Sequence, residues 1–226
     1  MRAFLLPIDN LLRGDAIAPE LGEPARKLRV RQLLLLIVMF GVLYGAVMGS
    51  YGGIFGDRWK QVIYSGVKVP FLLLGTFLLS LPSFFVISTL LGLREDFAQS
   101  LRVLVATQAA LTIILASFAP FTAAWYLSFS DYQAAVLFNA LMFGISSIAA
   151  QVLLRRFYAP LISRNPRHRL LVRAWLIVYA FVGIQMGWLL RPFIGDPLSP
   201  TRFFRAHMWG NAYEVVLRMV WSLMHR

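Results

Sequence analysis

The chain contains no cysteine. That excludes disulfides, thiolate metal sites and lipidated cysteines, and it leaves the redox compartment unread. Acidic residues are scarce, 10 against 22 Lys and Arg, for a net charge of +12. Most informative is where charge of either sign is missing: residues 32–51, 69–93, 103–130, 132–154 and 174–190 hold no Asp, Glu, Lys or Arg. A helix rising about 1.5 Å per residue needs about 20 apolar residues to cross a hydrocarbon core roughly 30 Å thick. Four of the five runs reach that length, and the fifth lies within the usual range of about 17–25.

Hydrophobic residues make up 59% of the chain, against about 45–50% in soluble domains. A soluble fold would have to bury five charge-free segments with too little polar surface left to cover them. The prediction is an all-α, polytopic helical membrane protein with about five transmembrane helices, and with interfacial amphipathic helices at its N- and C-terminal ends. It divides into an N-terminal segment, 1–31, ending in a basic juxtamembrane cluster, a five-span membrane domain, 32–190, and an aromatic-rich tail, 191–226. Residues 1–31 do not read as a signal peptide, because Pro7, Asp9, Asn10, Arg13 and Asp15 interrupt the apolar stretch.

In a soluble protein the positive balance would suggest nucleic acid. Here the basic residues flank spans, where anionic headgroups attract them and where they set orientation, so no nucleic-acid partner is expected. With the N-terminus in the cytoplasm, 14 of the 22 basic residues fall inside and 8 outside. This asymmetry predicts N-terminus in and C-terminus out. Phe4, Leu5, Ile8, Leu11 and Leu12 fall near helical spacing, as in a short surface helix. Residues 54–67, carrying Arg58, Trp59, Lys60 and Gln61, read as an interfacial half-turn between the first two spans, and Lys68 as a loop charge.

Within the spans, Gly41, Gly45 and Gly49 form overlapping small-xxx-small units on one face. Such a face lets another helix approach backbone to backbone, either in a second copy or within the same chain. Pro82 and Pro120 each remove a backbone hydrogen bond and can kink their helices, either shaping a cavity or only fitting helices together. The polar residues inside the charge-free runs are all uncharged, which argues against a proton-coupled transporter. Gln108, Asn139 and Gln185 lie toward the interiors of three spans and are expected to form one interhelical polar cluster.

His168, His207 and His225 all fall outside the spans, so haem held between helices is not expected. Glu95 and Asp96 read as a local ion cluster with Arg94 and Arg102. No Ser/His/Asp set, phosphate loop or metal-ligand spacing is present; the expectation is a non-enzyme without cofactor or metal. In the tail, Phe203, Phe204 and Trp209 precede an amphipathic pattern of Tyr213, Val216, Leu217, Val220, Trp221 and Met224. Phe203, Phe204, Trp209, Tyr213 and Trp221 are the candidate partner-facing aromatics.

The polar break Gly92-Leu93-Arg94-Glu95-Asp96-Phe97-Ala98-Gln99-Ser100-Leu101-Arg102-Val103-Leu104, with the five closely spaced runs around it, resembles the Yip (Ypt-interacting protein) family and its bacterial relatives. The match lies in a Phe, a Gln and a Leu-x-Val-Leu run before the third span. The Tyr-Gly-Pro motif of eukaryotic members is missing, so no functional residue is carried over. The resemblance implies a small membrane-shaping or scaffold protein, here of a bacterial inner membrane. The leading expectation is therefore a non-enzymatic membrane scaffold or accessory subunit, packing against lipids and against other membrane proteins or itself. The alternative is a carrier or channel for a neutral or lipid-like molecule.

Overall fold

A computed structural model describes residues 9, 11, 12, 29–196 and 199–204. Among them the secondary structure is all helical: α1 (Val30–Gly49), a 3-10 turn (Gly56–Arg58), α2 (Trp59–Leu90), α3 (Phe97–Ser117), α4 (Ala119–Ser128), α5 (Tyr132–Arg164) and α6 (Arg167–Leu189). Five helical stretches are long and apolar enough to cross a membrane, with α3 and α4 together forming the third.

Local chemistry explains the boundaries. At the start of α1 the Gln32 side chain accepts from the Arg29 backbone N–H at 2.8 Å, satisfying a donor that the first turn leaves open. α2 ends in a Schellman turn: Gly92 N–H donates to Thr89 C=O and Leu93 N–H to Ser88 C=O. Gly92 makes this turn with φ 72°, where a side chain would be strained. Pro120 starts α4, at a position where its missing N–H costs nothing, so the third span breaks at Phe118. Asp131 caps α5 by accepting from Gln133 N–H at 2.8 Å and Ala134 N–H at 3.4 Å. Pro82, together with Pro70, sits inside continuous α2.

The segment 54–67 is corrected by the structure. Helix α2 starts at Trp59 and runs for 32 residues, about 48 Å at ~1.5 Å per residue and well over one hydrocarbon thickness. The charge-free run marks the part that spans; the helix continues beyond it. α5, with 33 residues, does the same at its opposite end, carrying Arg155, Arg156 and Arg164.

Helix neighbours run α6–α2–α1–α3–α5. The third span, α3 with α4, is the most enclosed of the five. α5 and α6, at the two ends of that series, hardly touch; Tyr158 packs edge-on against His168 beside the turn that joins them. The buried side chains form two groups. One, around Leu36, Phe84, Leu104, Tyr158 and Trp175, fills the arginine-rich end, where Arg94, Arg155, Arg164 and Arg167 lie. The other, around Tyr44, Tyr51, Val69, Leu115 and Ile194, fills the tyrosine-rich end. Leu11, from the N-terminal amphipathic segment, is buried in the first group; the rest of that segment lies outside the described residues, apart from Asp9 and Leu12.

The glycine face of α1 is spent inside the chain. A Cβ on Gly45 would collide with the Ser65 carbonyl oxygen and lie 2.9 Å from Gly66 Cα; one on Gly49 would meet Gln61 O at 2.6 Å; one on Gly41 would meet Pro70 Cβ at 3.2 Å. Of the two roles the pattern allows, packing against α2 is the one these glycines fill. Gly45→Ala should lower stability in detergent by about 1–3 kcal/mol, since helix backbones must part to admit the methyl. Gly144→Ala, with nothing within 4 Å of the new Cβ, should be neutral or slightly stabilising. Thermal unfolding of the two variants side by side checks this.

Candidate functional site

The densest polar structure lies at the tyrosine-rich end and is built on the chain that leaves α6. Residues 191–196, here called the strap, turn back across the start of α2 and present five successive carbonyls to side chains. Lys68 Nζ donates to Pro192 C=O at 2.6 Å. Gln61 Nε2 donates to Phe193 C=O at 3.0 Å, and the Ser65 hydroxyl donates to the same oxygen. Tyr132 OH donates to Ile194 C=O at 3.2 Å. The Arg58 guanidinium donates to Gly195 C=O at 2.9 Å and Asp196 C=O at 3.0 Å, and also to Tyr51 C=O at 2.7 Å.

This follows from helical periodicity. Positions 58, 61, 65 and 68 repeat at three- and four-residue spacing and so share one face. An irregular backbone at membrane depth must have its carbonyls satisfied by protein, and this row of donors does so. Ile194 is buried in the core of this end. Tyr51 OH donates to Ser130 C=O at 2.6 Å, tying the loop before α2 to the loop before α5. Burial, then the nearby carboxylates of Asp131 and Asp196, hold the Tyr51 phenol above its ordinary pKa against the opposing pull of Arg58.

Lys68 is the unexpected member. Read from sequence as a loop charge, it is a fully buried helix residue, 0% exposed. Its ammonium meets the Pro192 carbonyl and lies 4.8 Å from the centroid of the Phe203 ring. Among the described residues no carboxylate pairs with it. Phe203, expected to face a partner, packs against its own α2, edge-on to Tyr64 at 5.2 Å, while Phe204 stays exposed. Trp209, Tyr213 and Trp221 lie outside the described residues.

Beside the strap is a cleft of about 540 Å³ bounded by Met48 of α1, Leu72 of α2, the strap residues Arg191 to Ile194, and Tyr132, Gln133, Val136, Asn139, Ala140 and Phe143 of α5. Its volume is that of a small-molecule site, in the usual range of about 300–1,000 Å³. From Tyr132 to Phe143 it follows α5 for about 16 Å at ~1.5 Å per residue. Tyr132, Gln133 and Arg191 stand at the helix ends, and Leu72, Val136, Ala140 and Phe143 line the deeper part. Arg191 lies with its guanidinium 4.4 Å over the Trp188 ring. A second hollow of about 400 Å³ lies on the far side of the strap, between Gln61, Gly195, Asp196 and Arg202. Pro192 and Tyr132 line both.

Of the three amides expected to cluster, Asn139 and Gln108 bond to different tyrosines. Asn139 accepts from Tyr44 OH at 3.0 Å and donates to Tyr126 OH at 2.7 Å and to Ala135 C=O at 2.8 Å. Gln108, deeper along α3, accepts from Tyr179 OH at 3.0 Å. Gln185 sits near the end of α6, half-buried. At the arginine-rich end, buried His168 meets Asp96 through Nε2 at 3.1 Å, so Asp96 of that break engages a histidine at the start of α6. Among the described residues, no three His, Asp or Glu side chains gather to hold a metal ion.

Comparisons of the chain with family models, curated proteins and solved structures return no match.

Asn139 anchors the cleft wall, so its loss should be felt in stability. Asn139→Leu leaves the buried Tyr44 hydroxyl without its acceptor and should cost about 1–3 kcal/mol. In a Tyr44→Phe background the same change should cost less, because the orphaned group is gone. A double-mutant cycle on thermal stability in detergent reads this; equal costs in both backgrounds would remove the coupling.

Proposed function

We propose that this protein binds a lipid-like amphiphile at the tyrosine-rich end of its helix bundle. The observation that carries the reading is the cleft of about 540 Å³ between α5, α2 and the strap, mostly apolar along α5 apart from Asn139 and lined at the helix ends by Tyr132, Gln133 and Arg191. An amphiphile fits that gradient: its tail follows Val136, Ala140 and Phe143, and its head meets the hydrogen-bonding groups and the guanidinium. The weak association of α5 with α6 supports entry from the bilayer side, since few contacts must be broken there. The role is that of a lipid-binding or lipid-carrying membrane protein, without a catalytic step.

The arginine-rich end collects Arg29, Arg31, Arg94, Arg155, Arg156, Arg164, Arg167, Arg169 and Arg173. The positive-inside rule supports a cytoplasmic position for that end and, with it, an outer-leaflet position for the cleft in a bacterial inner membrane. A scaffold or subunit role is the second reading. With the glycine face of α1 packed on α2, its support is the aromatic tail beyond Phe204.

Ala140→Trp fills the cleft, and Ile148→Trp adds the same ring at an exposed site on α5 outside it. Mass spectrometry of the intact protein released from mild detergent should show the wild type and Ile148→Trp carrying co-purified lipid and Ala140→Trp losing most of it. Equal lipid occupancy in all three would count against the cleft.

A further inference from the structure

The strap is held by side chains whose chemistry exceeds what holding it requires. Gln61 and Ser65 are neutral donors, and neutral donors are enough to satisfy a backbone carbonyl. Lys68 brings a full charge. Removing an ammonium from water costs several kcal/mol even after relaxation, and one carbonyl with one ring face is a weak substitute for an anion. A methionine would fill this volume without that cost. The residue type fits a site that meets negative charge.

Depth in the membrane narrows the source of that charge. From Val69 to Leu90, α2 is about 33 Å long at ~1.5 Å per residue, close to one hydrocarbon thickness. Lys68 is the charge that ends this apolar run, and with Gly41 set against Pro70 and Gly45 against Ser65 it lies level with the outer third of α1, on the side of the bundle nearer the headgroups. Among the described residues the strap separates Lys68 from the cleft: Pro192, whose carbonyl accepts from Lys68, also lines the cleft. It also lines the second hollow, so displacement of residues 192–195 joins the two spaces and uncovers Lys68 with Gln61 and Ser65 beside it. A lipid phosphate offers several acceptor oxygens, enough to replace the carbonyls these donors lose.

We infer that the α2 face bearing Gln61, Ser65 and Lys68 is a headgroup site for an anionic phospholipid, occupied by the strap in the state described here and vacated by it when lipid is taken up. This rests on the amphiphile reading of the cleft. It adds the sign of the headgroup, the residues that read it and the segment that must move.

The absence of native cysteine makes the strap lockable. A Cβ on Gly195 would lie 2.9 Å from Gln61 Cγ, within the geometry of a disulfide once both positions are cysteine. The full-length wild type, Lys68→Met and the Gln61→Cys/Gly195→Cys double variant are compared by native mass spectrometry. The probes are phosphatidylglycerol and phosphatidylcholine with identical acyl chains. Wild type should prefer phosphatidylglycerol. Lys68→Met should bind both lipids alike, a drop in preference of about tenfold for the loss of one charge-assisted contact of ~1.4 kcal/mol. Arg169→Met, which removes a charge at the opposite end, should keep the preference. The double variant should bind less phosphatidylglycerol oxidised than reduced; comparing the two forms of one variant cancels the loss of the Gln61 amide and separates locking from misfolding. Unchanged preference in Lys68→Met together with unchanged uptake in the oxidised variant overturns the inference and leaves the cleft reading in place. A wild type that binds neither lipid overturns both.

Discussion

How closely α1 approaches α2 decides the geometry of the tyrosine-rich end. Without a hydrophobic force between helices in lipid, association depends on packing and hydrogen bonds, and backbones meet only where side chains are absent. Gly45 supplies that absence: its missing side chain leaves room for the Ser65 carbonyl and Gly66. Ser65 is consequently used from both sides. Its backbone abuts α1, and its hydroxyl donates to Phe193 of the strap. Gln61, one turn earlier, repeats the arrangement, with its carbonyl near Gly49 and its amide on the same strap oxygen. A shift of α2 away from α1 would move the whole donor row, and with it the wall of the cleft. The same approach places Tyr44 and Met48 where Asn139 and Tyr126 can use them, so α5 is positioned through α1 as well.

The second constraint is backbone satisfaction. A non-helical segment in contact with a bilayer must find donors and acceptors in protein, and the strap finds a donor for each carbonyl from Pro192 to Asp196. The cost is a cation and a guanidinium drawn out of water. Arg58 spreads its charge over three carbonyls, a geometry that the planar fork allows. Lys68 has one carbonyl and a ring. The two cations are thus unequally compensated although they serve the same segment, and the less compensated one lies nearer the cleft.

Much of the fold was legible in the sequence because its largest signal is the absence of charge over bilayer lengths, which no side-chain detail can disturb. Pro120 was legible as a point where the third span loses a backbone hydrogen bond and can kink; that a new helix starts there came from the structure. The start of α2 was not legible. Arg58, Lys60 and Lys68 on a background of Gly and Trp imitate a loop, and helix length beyond the hydrocarbon has no compositional signature. Misplacing that start hid the site, because Arg58, Gln61, Ser65 and Lys68 form a row only once they are known to be helical. The three-and-four spacing was present as a signal and needed that one premise. Partner choice among amides and tyrosines was not readable, since it depends on which helices are neighbours.

Neighbour order also explains why the cleft lies where it does. In a series α6–α2–α1–α3–α5, each interior helix has a partner on both sides, and closing the bundle would require α5 against α6. The turn at residues 165 and 166 brings them together at the arginine-rich end, where His168 is buried against Tyr158 and held by Asp96. At the other end no turn joins them, and the chain leaving α6 goes to α2 instead of α5. The opening is thus a consequence of topology, and the strap is what partly fills it. A segment that closes a seam with hydrogen bonds from polar side chains, and not with interlocked apolar ones, exchanges those bonds readily for the oxygens of another molecule. That chemical equivalence between peptide carbonyl and phosphate oxygen is the physical basis of the lipid site proposed above.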